Sequence, residues 1–347
     1  MKIVVISSCV FAVGPPRGLS AYGGLEVVAW ECAKGLAAKG HQVGLVAPDG
    51  SWCPGCEMIP CGPPGGISEA DAYDKYWKVL LQADVCIDHS WQKHSFLLKA
   101  EGRLKAPILA VCHAPVDTMF RELPEGVDKP CFVCISDDQK AHFDGLFSPV
   151  TARRVWNGID LDFYRSTGVP RSDRFLFLAR FSSIKGADLA VKACKEVGVG
   201  LDLVGDHSIT NEPDYLKSLM AEADGKLIRF VGPCTRAESV QWFSQAHCLL
   251  HPNMRFREPL GLAPVEAMAC GCPVVAWDYG AMRETIGQGC GCLVRSQDEL
   301  VKAVQAAILS IFPDAREVCR ENAKKFSLQR MVDGYEQLCR EALAGGW

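Results

Sequence analysis

The feature that most constrains this chain is a repeated unit: a short apolar run, a polar residue at its end, then a helical segment. In the first half the runs fall at residues 3–6, 43–47, 85–87, 108–112, 131–135 and 154–156. Between the first two, residues 25–39 carry Leu25, Val28, Ala29, Cys32 and Leu36 at helical spacing on one face. Short, uniformly apolar strands alternating with helices predict a parallel sheet covered on both sides. The rhythm then starts again, with runs at 174–179, 201–204, 227–231, 248–251, 273–277 and 291–294. Helices are predicted over 186–197, 215–223, 236–245, 261–270, 297–309, 315–325 and 328–343, the last with Ser327 as N-cap. The spacing therefore predicts an α/β fold of two doubly wound domains, and 347 residues exceed what one hydrophobic core usually serves. The break is expected within 157–174, where Gly158, Gly168 and Pro170 cluster. The expected extents are 1–165 for an N-terminal domain and 166–330 for a C-terminal one. Residues 331–347 are expected to form a C-terminal helix able to pack back on the N-terminal domain.

Composition excludes several classes. Hydrophobic residues make up 48% and charged residues 22%, with a net charge of −4. Such a balance lacks the basic surplus of a nucleic-acid binder but allows a local basic pocket for a small anion. The opening residues, with Lys2 and an apolar stretch, superficially suggest an export signal. Ser7-Ser8 interrupts it, so Ile3-Val4-Val5-Ile6 is read as a buried first strand. No apolar run reaches the roughly 18 residues that span a bilayer, and the expected location is cytoplasmic. The 18 cysteines sit mostly in strand or helix contexts, among them Cys9, Cys86, Cys112, Cys131, Cys134 and Cys248, where a thiol behaves as a small hydrophobe. Cys53-Pro-Gly-Cys56, followed by Cys61, lies in a Pro/Gly-rich stretch without a fourth ligand at zinc-like spacing. These three are read as reduced loop thiols, and no metal is expected.

The strongest local signal is Glu258-Pro-Leu-Gly-Leu-Ala-Pro-Val-Glu266, followed by Ala-Met-Ala-Cys-Gly. Gly261-Leu262 opens a helix, Pro264 fits its first turn, and Gly271 suits its stop. The unpaired amides of a helix start bind phosphate, and carboxylates receive hydrogen bonds from sugar hydroxyls. Taken alone, two acids at this spacing would be solvated charges flanking a helix. Upstream, Phe177-Leu-Ala-Arg180-Phe-Ser-Ser-Ile-Lys185-Gly186 puts a guanidinium past a strand and an ammonium at a helix start, a pair able to clamp a diphosphate. Near the N-terminus, Tyr22-Gly23-Gly24-Leu25-Glu26 joins the first strand to the first helix, and paired glycines let a backbone approach a phosphate closely. It is not the G-x-G-x-x-G of a dinucleotide site. His113, in Val-Cys-His-Ala-Pro, lies just past a strand.

In this order these segments, together with Val155-Trp-Asn157-Gly158-Ile-Asp160, resemble the retaining GT-B glycosyltransferases of the family-four type, the glycosyl transferases group 1. The resemblance spans nearly the whole chain, with the Glu258…Glu266 segment its most specific part. It implies two Rossmann-like domains facing across a cleft. It also implies transfer of a hexose from a UDP- or GDP-linked sugar to a glycan, lipid or small-molecule acceptor with retention of configuration. By the same resemblance Arg180 and Lys185 would hold the donor diphosphate and Glu266 the ribose. Glu258, with the backbone of Gly261 and Leu262, would hold the transferred sugar and the phosphate. Gly23 and Gly24 would approach the diphosphate from the other domain, and His113 would stand beside the anomeric centre. With no Asp-x-Asp motif evident, basic groups and a helix dipole are expected to replace a divalent ion, so no cofactor is expected beyond the nucleotide sugar itself.

Acceptor recognition is expected mostly in the loops 14–22, 51–68 and 114–124. Residues 91–105 mix basic and apolar side chains on a predicted helix, read as packing on its own sheet rather than resting on a membrane. The donor base and sugar, the acceptor and the oligomeric state are not legible. Two alternatives stay open: a sugar-nucleotide epimerase of the same architecture, and a non-catalytic nucleotide-sugar binding subunit.

Overall fold

The computed structural model describes residues 1–14, 23–119, 125–127, 130–207, 210–309 and 315–347. In chain order the elements begin with β1 (Lys2–Ile6), α1 (Gly24–Ala38), β2 (Gln42–Ala47), β3 (Cys56–Pro60), α2 (Glu69–Leu80) and β4 (Val85–Asp88). Next come α3 (Ser95–Ala100), β5 (Ile108–Cys112), α4 (Val116–Met119), β6 (Cys131–Cys134), α5 (Asp137–Phe147) and β7 (Arg153–Arg154). A second series follows: β8 (Phe175–Leu178), α6 (Ala187–Val197), β9 (Leu201–Val204), α7 (Pro213–Glu222), β10 (Ile228–Gly232) and α8 (Arg236–Gln245). It continues with β11 (Leu249–His251), α9 (Leu262–Ala269), β12 (Val274–Trp277), α10 (Met282–Thr285), β13 (Gly291–Val294), α11 (Gln297–Ile308) and α12 (Ala315–Ala323). The chain closes with α13 (Leu328–Leu343).

These elements form two units, one of Met1–Gly158 with Leu328–Trp347 and one of Ile159–Ser327. The division falls earlier than 165/166, because Ile159 already bridges Ser327 and donates its amide to the Phe326 carbonyl at 2.8 Å. The described residues of the first unit build a seven-stranded sheet ordered β3-β2-β1-β4-β5-β6-β7, and those of the second a six-stranded sheet ordered β10-β9-β8-β11-β12-β13. Every pairing is parallel. Each unit has its own core. Val4, Ile6, Val46, Phe96, Phe132 and Phe143 belong to one; Phe175, Phe177, Phe181, Leu203, Leu250 and Val301 belong to the other. The central strands are buried along their length, as helices on both faces require.

Local chemistry sets the helix limits. Ser68, Ser136 and Ser296 each accept an amide hydrogen bond at the start of α2, α5 and α11, and Thr235 with Glu238 makes a capping box for α8. Two sequence expectations change. The Cys53–Cys61 stretch is not all loop: β3 pairs with β2 from Cys56 to Pro60 and forms the sheet edge. A proline is tolerated at such a strand's end. The helix expected over 91–105 shrinks to Ser95–Ala100. Lys93 adopts a left-handed φ of 53° before it, and Gly102, φ 69°, ends the run. Phe96 and Leu98 pack into the core while Leu97 stays exposed.

Helix α13 belongs to the first unit. Val332 packs against Gly35 of α1, Lys39 pairs with Asp333 at 2.5 Å and Glu336 at 2.7 Å, and Gly158 donates its amide toward Met331 Sδ. None of the described helices is long and apolar enough to cross a membrane.

Candidate active site

In open parallel sheets, ligands bind beyond the carboxyl ends of the strands, at the point where connections diverge to opposite faces. In the second unit that point lies between β8 and β11, neighbours in the sheet whose chains leave in different directions. Past β8 come Ala179, Arg180, a turn of 3₁₀ helix at Ser183–Lys185, and Gly186, which opens α6. Gly186 adopts φ 76°, and a Cβ there would run into the Pro252 carbonyl, so only glycine lets the two connections close against each other. Glu212 anchors the turn by receiving the Ser182 hydroxyl at 2.5 Å and the Ser183 amide at 2.8 Å. Arg255, in the loop after β11, donates to the Ser183 carbonyl at 2.7 Å and grips Asp188 through both terminal nitrogens at 3.0 Å.

Inside this frame Lys185 and Glu258 meet, Nζ to Oε2 at 2.5 Å. Asn253 donates its amide to the same oxygen at 2.7 Å, and His251 Nε2 stands 3.7 Å away. Burial alone would raise the Glu258 pKa; the Lys185 ammonium and the His251 ring outweigh it and hold the acid well below the usual carboxylate range. Gly280 lies against the Glu258 main chain, and Ala281 donates its amide to the Glu258 carbonyl at 3.0 Å. Gly261, in a left-handed conformation, is the N-cap of α9, and Leu262 is its first residue. No side chain caps this start, so its first amides face outward as donors.

Glu266 sits within α9 at 3% exposure, and Glu258 is at 9%. Two solvated flanking charges would not be so deeply buried. Glu266 meets the Tyr164 hydroxyl, which also receives a hydrogen bond from Arg236 Nε at 3.3 Å. Burial and then the Glu266 charge push the Tyr164 phenol well above its ordinary range, Arg236 opposing. Arg180 Nε, Asn253 Oδ1 and His251 Nε2 are buried without a hydrogen-bond partner among the described residues. Unpartnered buried polar atoms are costly, and three of them around one end of a sheet mark a place made for something polar.

Sequence reasoning named Arg180, Lys185, Glu258, Gly261, Leu262 and Glu266, and all of them lie at this end of the second sheet. It did not assign His251, Asn253, Gly280 or Tyr164. His251 and Asn253 lie on the same segment as Glu258, at the end of β11 and in the loop after it; the pairing of β11 beside β8 brings that segment to Lys185, and Gly280 arrives after β12. Of these, only Asn253, a polar residue just past a strand, carried a signal in the sequence.

The first unit has its switch point between β1 and β4. Ser8 donates its hydroxyl to Glu26, which folds back over the start of α1 so closely that a Cβ on Gly23 would collide with it. Burial raises the Glu26 pKa, the Ser8 hydrogen bond acting against it. Gly23 therefore makes room first for the protein's own carboxyl group at this helix start. Tyr22 and the remainder of the loop 15–22 lie outside the described residues, as do 120–124 of the loop after β5. Past β4, Asp88 accepts from the Ser90 amide at 2.8 Å, from its hydroxyl at 2.6 Å and from the Ser95 hydroxyl, and lies 3.9 Å from the ammonium of Lys93, itself only 3% exposed. His113, past β5, is half-buried and stands 2.8 Å from His89, Nε2 to Nδ1. Burial and the Lys93 charge pull the His113 pKa down to about 3, so its ring is neutral across the physiological range. A groove lined by Trp91, Lys93, Phe96, Ala114, Thr118 and Met119 opens beside it.

None of the described cysteines forms a disulfide, and Cys53 and Cys61 are buried. Among the described residues no cluster of three or more His, Cys, Asp or Glu could hold a metal.

The chain is similar to known proteins in sequence and in fold. The family model described as Glycosyltransferase Family 4 matches residues 22–163, and that described as Glycosyl transferases group 1 matches 165–326. A protein of Catenulispora acidiphila named D-inositol 3-phosphate glycosyltransferase 1 is 26% identical, over 99% of this chain and 97% of its own. Among solved structures, sucrose-phosphate synthase from Thermosynechococcus elongatus superposes with a TM-score of 0.81 at 20% identity, covering 99% of this chain and all of the other. The Anabaena protein HepE, solved with UDP and glucose, gives 0.76 at 20% identity, covering 97% and 99%. With both halves matched in order and two parallel sheets of Rossmann type, the chain belongs to the group 1 glycosyltransferases and has the GT-B fold.

Proposed function

We propose that this enzyme moves a hexose from a nucleotide diphosphate sugar, UDP-linked in the first instance, to a hydroxyl group of an acceptor, with retention at the anomeric carbon and without a divalent ion. The observation that carries the reading is the buried Lys185–Glu258–Asn253 cluster beside the uncapped start of α9. Here Arg180, Lys185 and the first amides of α9 neutralise the departing diphosphate, work that fixed dipoles do well because they need no reorganisation. Glu258 Oε2 is taken by Lys185 and Asn253, while Oε1 has no partner among the described residues and is available to a sugar hydroxyl. Glu266, steadied by Tyr164, receives the ribose hydroxyls. His113 serves the reacting centre as a neutral hydrogen-bonding group. Among the described residues of the cluster no second carboxylate is placed as a nucleophile, which favours attack on the face the diphosphate leaves over double displacement. HepE, solved with UDP and glucose, and the inositol-phosphate relatives support a UDP-sugar donor and a polyol acceptor.

The test is transfer by the purified protein from UDP-, GDP- and ADP-sugars to an acceptor library that includes inositol phosphates, with and without EDTA, the product linkage being assigned by NMR. Retained configuration and undiminished activity in EDTA are expected. An inverted linkage, or a strict need for added metal, overturns the mechanism. Conversion of donor with no acceptor present points to the epimerase instead.

A further inference from the structure

The pairing of His89 with His113 has no part in the reading above. His89 is fully buried, its amide donates to the Ile6 carbonyl at 2.8 Å, and its ring lies 5.7 Å from that of Tyr335 on α13. Its main chain is therefore pinned to β1, and its ring is held between α13 and His113, whose ring stacks 5.0 Å away at 28°. His89 Nδ1 and His113 Nε2 are 2.8 Å apart, and His89 Nε2 is buried with no partner among the described residues. Both rings are neutral: burial excludes the charged form of each, and Lys93 reinforces it.

Two neutral imidazoles in this contact can share a hydrogen bond in only two ways. If His113 donated from Nε2, His89 would carry its own proton on Nε2, leaving a buried N–H with nothing to receive it. If His89 donates from Nδ1, its Nε2 is a bare lone pair. Orphaned buried donors are rarer than under-satisfied acceptors, so the second arrangement is favoured. The proton of His113 then sits on Nδ1, which has no partner among the described residues.

We propose that His89 is a positioning residue for His113: its Nδ1–H holds the neighbouring ring in place and locks it in the Nδ1-protonated tautomer, so that the ring presents a hydrogen-bond donor to the reacting partners. This rests on the reading of His113 as a group at the reacting centre. Which nitrogen of an imidazole acts is set by what the other nitrogen binds, and enzymes with a wrongly held tautomer lose large factors in rate.

The test joins long-range proton–nitrogen NMR of histidine-labelled protein with transfer kinetics. In the wild-type protein His113 is expected protonated on Nδ1, a measurement that needs no variant. His89→Leu is expected to release that proton to Nε2 and to lower kcat on the order of 100-fold. KM for the donor should change by less than about threefold. His89→Asn, whose amide N–H falls near the place of Nδ1, should keep the tautomer and most of the rate. A wild-type His113 protonated on Nε2, or His89→Leu with an unaltered tautomer and rate, overturns the proposal. His113→Ala separates the two claims. Full transfer by that variant overturns the placement of His113 at the reacting centre, whereas an inactive His113→Ala beside a fully active His89→Leu overturns the positioning role alone.

Discussion

The two units share one plan and use it for opposite electrostatics. With the extra strand β7 set aside, the strand order of the first sheet repeats in the second, and each puts polar side chains at the same kind of switch point. In the first unit two imidazoles stand there, kept uncharged by burial and by the charge of Lys93, which lies against Asp88. In the second they are an ammonium and a carboxylate in contact, the ammonium holding the carboxyl group well below its usual range. The sheet thus determines where a ligand can sit, and a handful of side chains decide whether the place offers neutral hydrogen bonds or fixed charge.

Four experiments can break or sharpen this contrast. The largest effect is expected in the charged half. Lys185→Ala should lower kcat/KM on the order of 1,000-fold if, as proposed, its cation neutralises the leaving diphosphate. It also strands Glu258, and breaking a buried pair from one side costs about 3 kcal/mol or more. Turnover and a melting curve in the presence of UDP measure the two effects, and near-normal turnover removes the clamp from the mechanism. In the neutral half His113→Ala should cut turnover roughly 100-fold while UDP binding by calorimetry stays unchanged. Lost UDP affinity would contradict the division of labour.

Gly186→Ala comes next. It forces a side chain into a left-handed backbone position and against the Pro252 carbonyl, a strain of about 1–3 kcal/mol, read as a lower Tm and a weaker grip on UDP. The smallest effect concerns acid. His113 titrates at about 3 when folded against 6.5 ordinarily, so the unfolded chain takes up its proton first and stability is lost as pH falls from 6.5 toward 3. The loss is about 1 kcal/mol per pH unit for each such imidazole. Glu258 is depressed below 4.5, so its contribution persists above that value and fades only beneath it. Hydrogen exchange between pH 6.5 and 5 should therefore show the first unit loosening before the second. Equal loosening would contradict the assigned charge states.

Much of this was legible in the amino-acid order. Strands 201–204 and 291–294 and helices 236–245 and 328–343 coincide with the observed elements, because short apolar-rich runs and helical spacing, with the Thr235 cap for one, mark them locally. β3 was not legible. Its Cys-Glu-Met-Ile-Pro run carries only one buried residue, Ile59, and it pairs solely because β2 offers an edge. The helix over 91–105 failed because apolar spacing says nothing of a lysine forced to φ 53° to reach Asp88. At the site, Glu258, Glu266 and Lys185 could be read because each lies in a local motif. Asn253 showed only its place past a strand, and His251 sits inside an apolar run that hides its turn toward Glu258; Tyr164 could not be read at all, since it returns to Arg236 from more than 70 residues away in the chain.

Helix α13 carries one more implication. The ribosome delivers the whole second unit, Ile159–Ser327, before Leu328–Trp347 emerges. Domains fold as units as they are synthesised, so the later-coded half can reach its native state while the earlier one still waits for a wall. Until Val332 seats on Gly35 and Tyr335 meets His89, one flank of α1 and one face of the imidazole pair are open to water. Assembly of this protein therefore runs against the direction in which it is read, and its last helix is the piece that finishes the half made first.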